Sequence, residues 1–265
     1  AHGLAVAIFT MLALVSAAAL FKAKVRVLRF STAWIVSYLW VILILSKSLA
    51  ALLYSMVAVP LVVFASPRVQ ALAAAALAGL LFAYPLLRAN DLIPVEALQS
   101  WAEDDYGSER ARSMTFRFEN EGRLLDRALE RPWFGWGSYC RACVYERGSG
   151  ERSAISIRDG AWIIRLGDHG IVGFVGAVGL LLFPLIALVR RLKYVPRVSD
   201  RRLLAGLGLM VGFSAFDLIP NGDFTRLAFV LAGALWGCLS GVLQEAAKAM
   251  REKRARVMVA REARW

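Results

Sequence analysis

Histidine and cysteine are scarce in this chain, which carries two of the first and three of the second. Two histidines are too few for a histidine-based metal centre, and three cysteines make neither a disulfide scaffold nor a four-ligand zinc site. The pair in Cys140-Arg141-Ala142-Cys143 leaves room for a short-range disulfide in an oxidising compartment. A thioredoxin-like redox role would need a βαβ setting, which this segment lacks. Cys238 falls in an apolar run and is expected to be buried. There is no internal repeat and no low-complexity tract. No charged region or small-residue cleavage site marks a signal peptide. The chain starts at Ala1, without an initiator Met and already inside an apolar run, so a piece of a longer protein is expected.

What the chain has in abundance is apolar sequence. Its apolar fraction of 58% exceeds the roughly 45–50% of soluble domains, and its mean hydropathy is +0.55. Several runs approach the ~20 apolar residues that cross a bilayer. The net charge of +12 would suit nucleic acid if it formed one surface, but the lysines and many arginines fall in short links between apolar runs and in the tail. That is the positive-inside pattern of a polytopic membrane protein, not a groove-reading face, so no nucleic-acid partner is expected.

The predicted fold class is therefore all-α, a membrane helix bundle of about seven spans with one large, partly helical extracytoplasmic loop. The spans are placed at 3–21, 32–45, 49–65, 69–87, 160–189, 203–218 and 225–243. Grouped as domains, these give helices over 1–88, the loop over 89–159, three more helices over 160–243, and a basic cytoplasmic tail over 244–265. Ala71, Ala75 and Gly79 form a small-residue face for close helix contact. Glycines at 167, 170, 173, 176 and 179 stud the span that follows the loop.

Lysine is missing altogether between Arg88 and Asp159; every basic residue there is arginine. Guanidinium groups present a planar fork suited to phosphate or carboxylate. The alternative is a solvated helix laced with i,i+4 pairs. Glu119 and Arg123 would pair in that way, whereas Arg123 and Arg127 would repel unless an anion lay between them. Trp133, Phe134, Trp136 and Tyr139 surround Gly135 and Gly137. Their rings could stack on sugars, with the glycines admitting a ligand close to the backbone, or form an aromatic belt at the headgroups. The acidic stretch from Ala102 to Ser108 reads as a flexible connector. Asp217, Asp223 and Arg226 flank the turn between the last two spans, where either function or capping and snorkelling accounts for them.

These residues carry a resemblance. Arg117, fifteen residues before Pro132, followed by the Gly135-Trp136-Gly137 turn, resembles the signature of the O-antigen ligase and O-antigen polymerase superfamily. The helix entrance Leu166-Gly167-Asp168-His169-Gly170-Ile171-Val172-Gly173 resembles that group's small or acidic residue followed by Gly-x-x-Gly. Ser46-Lys47-Ser48-Leu49-Ala50 resembles its Ser-Arg-Gly-Ala type motif. The likeness spans most of this chain but only the carboxy-terminal half of a typical member, which has ten or more spans.

The resemblance implies a membrane glycosyltransferase that takes glycan from undecaprenyl diphosphate in the bacterial inner membrane, on the periplasmic face, without nucleotide sugar, metal or other cofactor. The acceptor would be a glycan or a lipid. By motif position Arg117 would grip the diphosphate, aided by Arg123, Arg158 and Lys47, the last standing where arginine is usual and lacking its fork. Trp133, Gly135, Trp136 and Gly137 would receive sugar. Where the ligases carry a catalytic histidine this chain has Asp159, which either serves as general base or caps the following helix. The missing histidine favours polymerase, or a relative with different donor handling, over true ligase. His169 stands ten residues on, roughly 15 Å along a helix, and is expected to be only packed or interfacial. The alternatives are a ligase joining polysaccharide to a lipid or protein acceptor, and a non-enzymatic subunit of polysaccharide export or flipping. Transport predicts charges deep within the spans, whereas here they gather at the outer mouth.

Overall fold

A computed structural model describes residues 3–25, 31–95, 97, 100, 108–145, 156, 158–222 and 225–262. Among them every regular element is a helix: α1 (Gly3–Lys22), α2 (Thr32–Leu45), α3 (Leu49–Phe64), α4 (Pro67–Ala89), α5 (Ser108–Leu129), α6 (Ala161–Arg191), α7 (Val198–Asp217) and α8 (Thr225–Glu262), with one 3₁₀ turn at Leu192–Tyr194. Apart from α5, these are the seven predicted apolar segments, with ends within a few residues except where α8 runs on through the basic tail. Among the described residues four stretches, against the seven spans expected, are long and apolar enough to cross a membrane: Gly3–Lys22, Pro67–Ala89, Ala161–Tyr194 and Arg226–Lys253. These four suit association with a lipid bilayer. Helices α2 and α3, of 14 and 16 residues, fall short of that length.

Local chemistry sets the helix ends. Ser31 caps α2, its hydroxyl accepting from the Ala33 N–H at 3.4 Å. Pro67 opens α4 at the position where a missing N–H costs nothing. Three residues later the buried Gln70 amide donates to Val62 O and Ala65 O, both at 3.1 Å, satisfying carbonyls that the end of α3 leaves without helical partners.

The helices contribute to two compact units. The first comprises residues 1–76, 181–213 and 227–265. Within it α1 packs on α2 and α3, burying Met11, Leu14, Val15 and Ala18. The expected small-residue face of α4 is rotated in the structure: Ala71, Ala74 and Ala78 are the fully buried positions, and Gly79 faces open space. In this unit a Cβ on Gly212 would sit 2.6 Å from Ala74 Cα, so the smallness that matters includes glycine on α7. Cys238, expected to be buried, is exposed on α8.

The second unit comprises residues 77–180 and 214–226 and holds the residues singled out for function, Lys47 excepted. Its core includes Trp162, 1% exposed, which meets the Tyr84 ring edge-on at a centroid distance of 5.1 Å, together with Leu124, Leu125 and Ala128 of α5.

Candidate functional site

Helix α6 is not continuous. Gly170 has φ 66° and ψ −168°, a backbone conformation open essentially to glycine alone. An unbroken helix would bond Ile171 N–H to Gly167 O and Val172 N–H to Asp168 O. Here the segment after α5 takes both halves of each bond. Ile171 and Val172 donate to Pro132 O and Trp133 O at 2.7 and 3.2 Å, while Gly167 O and Asp168 O accept from Trp136 and Gly137 N–H at 2.8 and 2.9 Å. Two intrahelical bonds are replaced by four bonds to the turn, so the four backbone groups freed by the break all find partners. Close contact enforces the splice. A Cβ on Gly135 (φ 71°) would lie 2.6 Å from Asp168 C, Gly167 O and Gly170 N, and one on Gly170 would run into the Trp133 carbonyl.

This geometry corrects part of the expected sugar platform. The close approach that Gly135 permits is taken up by the backbone of α6, not by a ligand, and the Gly137 N–H is likewise spent on Asp168 O. The Trp136 ring is covered by its own chain, with the Arg127 and Arg131 guanidiniums 3.4 and 4.2 Å from its centroid and its Nε1 donating to Arg127 O at 2.7 Å. Trp133 and Phe134 remain open, at 65% and 78% exposed. Beside them Cys140 and Cys143 form the short-range disulfide.

The second unit brings together Arg117 and Asp159. Arg117 Nε lies 3.6 Å from Asp159 Oδ2, both side chains half-exposed. They line one cavity of about 270 Å³ with Tyr84, Asn120, Glu121, Ile163 and Pro220. Asp159 is not the helix cap: Ile164 N–H bonds to Gly160 O at 3.2 Å, which puts Gly160 in that position and leaves the aspartate side chain to face Arg117. Gly160 is pressed against the turn after α7, with Ala161 N–H donating to Leu218 O at 3.0 Å and a Cβ at Gly160 only 2.5 Å from Ile219 O. That packing fixes the backbone carrying Asp159.

Sequence reasoning missed the base of the cavity. Glu121, one turn beyond Arg117, is largely buried. It accepts from the Tyr84 hydroxyl at 3.1 Å and lies 4.0 Å from Arg88 Nε, while Arg88 Nη2 donates to Phe118 O at 3.1 Å. Burial pushes the Glu121 carboxyl above its ordinary value of 4.5, against the Tyr84 hydroxyl, the Trp162 indole and the charges of Arg88 and Arg117, which pull it down. The available signal was the i,i+4 spacing of Arg117 and Glu121, which places both on one helix face.

The other predicted residues divide. Arg123 pairs with Glu119 at 3.9 Å on the half-exposed side of α5, as the spacing suggested. Arg158 is committed to Asp168 of α6 at 2.6 Å, the two side chains only 18% and 12% exposed. Asp217 is fully buried, its Oδ1 accepting from Asn221 Nδ2 at 3.0 Å. His169 is exposed. Lys47 belongs to the first unit, in the turn between α2 and α3 with φ 53°. Asp223 and the acidic connector at 102–107 lie outside the described residues. No group of three or more His, Cys, Asp or Glu among the described residues is arranged to hold a metal ion. No known protein family, curated protein or solved structure matches this chain.

Proposed function

We propose that this chain belongs to a membrane glycosyltransferase that transfers or polymerises oligosaccharide from undecaprenyl diphosphate on the periplasmic face of the bacterial inner membrane. In this reading all seven apolar helices cross or enter the bilayer and residues 89–159 lie outside it. One observation carries the proposal: Arg117 and Asp159, forty-two residues apart in sequence, face each other across 3.6 Å at one cavity. These are the residues that the motif resemblance singles out for diphosphate and proton.

A half-exposed guanidinium beside a half-exposed carboxylate can exchange that partner for a phosphate. When donor diphosphate takes Arg117, Asp159 is released to accept the proton of the attacking acceptor hydroxyl. The acceptor oxygen bonds to the anomeric carbon as the bond from that carbon to the diphosphate oxygen breaks, with inversion. The electron pair leaves on undecaprenyl diphosphate, where Arg117 stabilises the developing charge. The Asp159 proton then passes to solvent. Polymerisation is preferred to ligation because no histidine stands at the ligase position.

Replacing Asp159 with Asn in the host gene tests the step. Loss of surface glycan at normal protein level is the expected result. Full glycan output would remove Asp159 from the chemistry and favour an export or flipping subunit.

A further inference from the structure

The first unit contains a second cavity, of about 870 Å³, lined by five cations: Arg68, Arg190, Arg191, Lys193 and Arg201. Among the described residues no carboxylate lines it. The neighbouring cavity in the same unit mixes its signs, with Arg197 and Lys248 set against Asp200, Glu245 and Glu252. A basic link between spans can solvate its charges separately or intersperse them with carboxylates, as the neighbouring cavity does. Five like charges around one hollow repel one another, and an anion entering it offsets that repulsion.

Two further features point the same way. Ser66 and Pro67 at the start of α4 and Val198 at the start of α7 line the cavity, so two helix N-termini, of 23 and 20 residues, open on it with their positive dipole ends. Arg201 is also held in place: its Nε donates to Val195 O at 2.6 Å and an Nη to Lys193 O at 3.5 Å, which fixes a guanidinium across the 3₁₀ turn. Arg68 stands in the first turn of α4 and Arg190 and Arg191 in the last turn of α6, the ends of two helices long enough to span a membrane, while Lys193 lies in the 3₁₀ turn and Arg201 in the first turn of α7. Tyr194, 63% exposed, lines the same cavity at the end of an apolar stretch, a position that suits an aromatic ring at the headgroups.

We infer that this cavity binds the phosphate of an anionic phospholipid headgroup, holding the cytoplasmic ends of α4, α6 and α7 against that lipid. The source is a lipid, not free phosphate, because the cations lie at span ends and not on the part of α8 that extends beyond the predicted spans. The site is independent of the glycosyl-transfer reading.

The test is retention of lipid by the purified full chain in detergent, read by native mass spectrometry with phosphatidylglycerol, phosphatidylcholine and inorganic phosphate as separate probes. Phosphatidylglycerol should be retained over phosphatidylcholine. Retention should fall about tenfold or more in Arg190→Gln/Arg191→Gln/Lys193→Gln, given the attraction each basic residue exerts on an anionic headgroup. The exposed pair Arg68→Gln/Lys193→Gln should show a smaller loss and guards against misfolding of the triple variant. Arg197→Gln/Lys248→Gln, in the mixed-charge cavity, should leave retention unchanged. Equal retention by wild type and both cavity variants would overturn the proposal. So would equal retention of the two lipids, or displacement of phosphatidylglycerol by millimolar inorganic phosphate, which would assign the site to the free ion.

Discussion

Single side chains in the second unit divide into those facing the cavity and those consumed in holding the fold. Arg158 belongs to the second group. Its pairing with Asp168 at 2.6 Å is largely removed from solvent, so Arg158→Ala leaves a poorly solvated carboxylate and should cost about 3–5 kcal/mol of stability. The loss should appear as a lowered Tm in detergent without any substrate, whereas a purely ligand-binding arginine would leave Tm unchanged. Glu121 carries a different signature. Its carboxyl is raised in the folded protein, so the folded state holds the proton more tightly than the unfolded chain. Its contribution to stability is full below the ordinary value of 4.5 and is lost as pH rises through the raised value. Glu121→Gln, which mimics the protonated form, should therefore flatten the fall of Tm above pH 4.5 and leave the protein at least as stable as wild type at neutral pH. A steeper fall in the variant would contradict this.

Among the helices, the break in α6 was the feature least legible in the sequence. Glycine at every third position reads equally well as a packing stripe, and nothing local to Gly170 shows that residues 132–137 will supply its missing hydrogen bonds. The splice is a pairing between separate segments, and sequence periodicity sees only one segment at a time. The same limit hid Tyr84 and Arg88, which lie near the end of an apolar run and gain meaning only when α5 brings Glu121 against them. Helix ends were legible because they rest on local chemistry: Ser31, Pro67 and the hydropathy edges mark them directly. Gly170→Ala should be severe, since it combines a forbidden φ with collision against the Trp133 carbonyl. A loss of about 3 kcal/mol or more is expected, with amide exchange accelerating at residues 136, 137, 171 and 172 together. Exchange confined to the α6 amides would show that the turn is not coupled to the break. Trp136→Phe keeps an aromatic ring under Arg127 and Arg131 but removes the bond to Arg127 O, and should cost about 1 kcal/mol in thermal unfolding.

For the molecule as a whole, the sequence and the fold agree on a helical membrane protein with a charged segment set against a long apolar helix. The candidate site was partly legible, because Arg117 and Asp159 are both drawn from motif positions and do meet. The aromatic turn was legible as an element but not in its use: Trp136 and the glycines hold the protein together, while Trp133, Phe134 and Tyr139 remain open to a ligand or a headgroup. The decisive measurement is the pool of lipid-linked glycan in the host after deletion of the parent gene and complementation with wild type or Arg117→Ala. Accumulation of single repeat units on undecaprenyl diphosphate in the deletion, reproduced by Arg117→Ala at normal protein level, is the predicted result. Long chains on that lipid would mean ligase instead. Lipid and glycan pools unchanged by the deletion would contradict glycosyl transfer altogether.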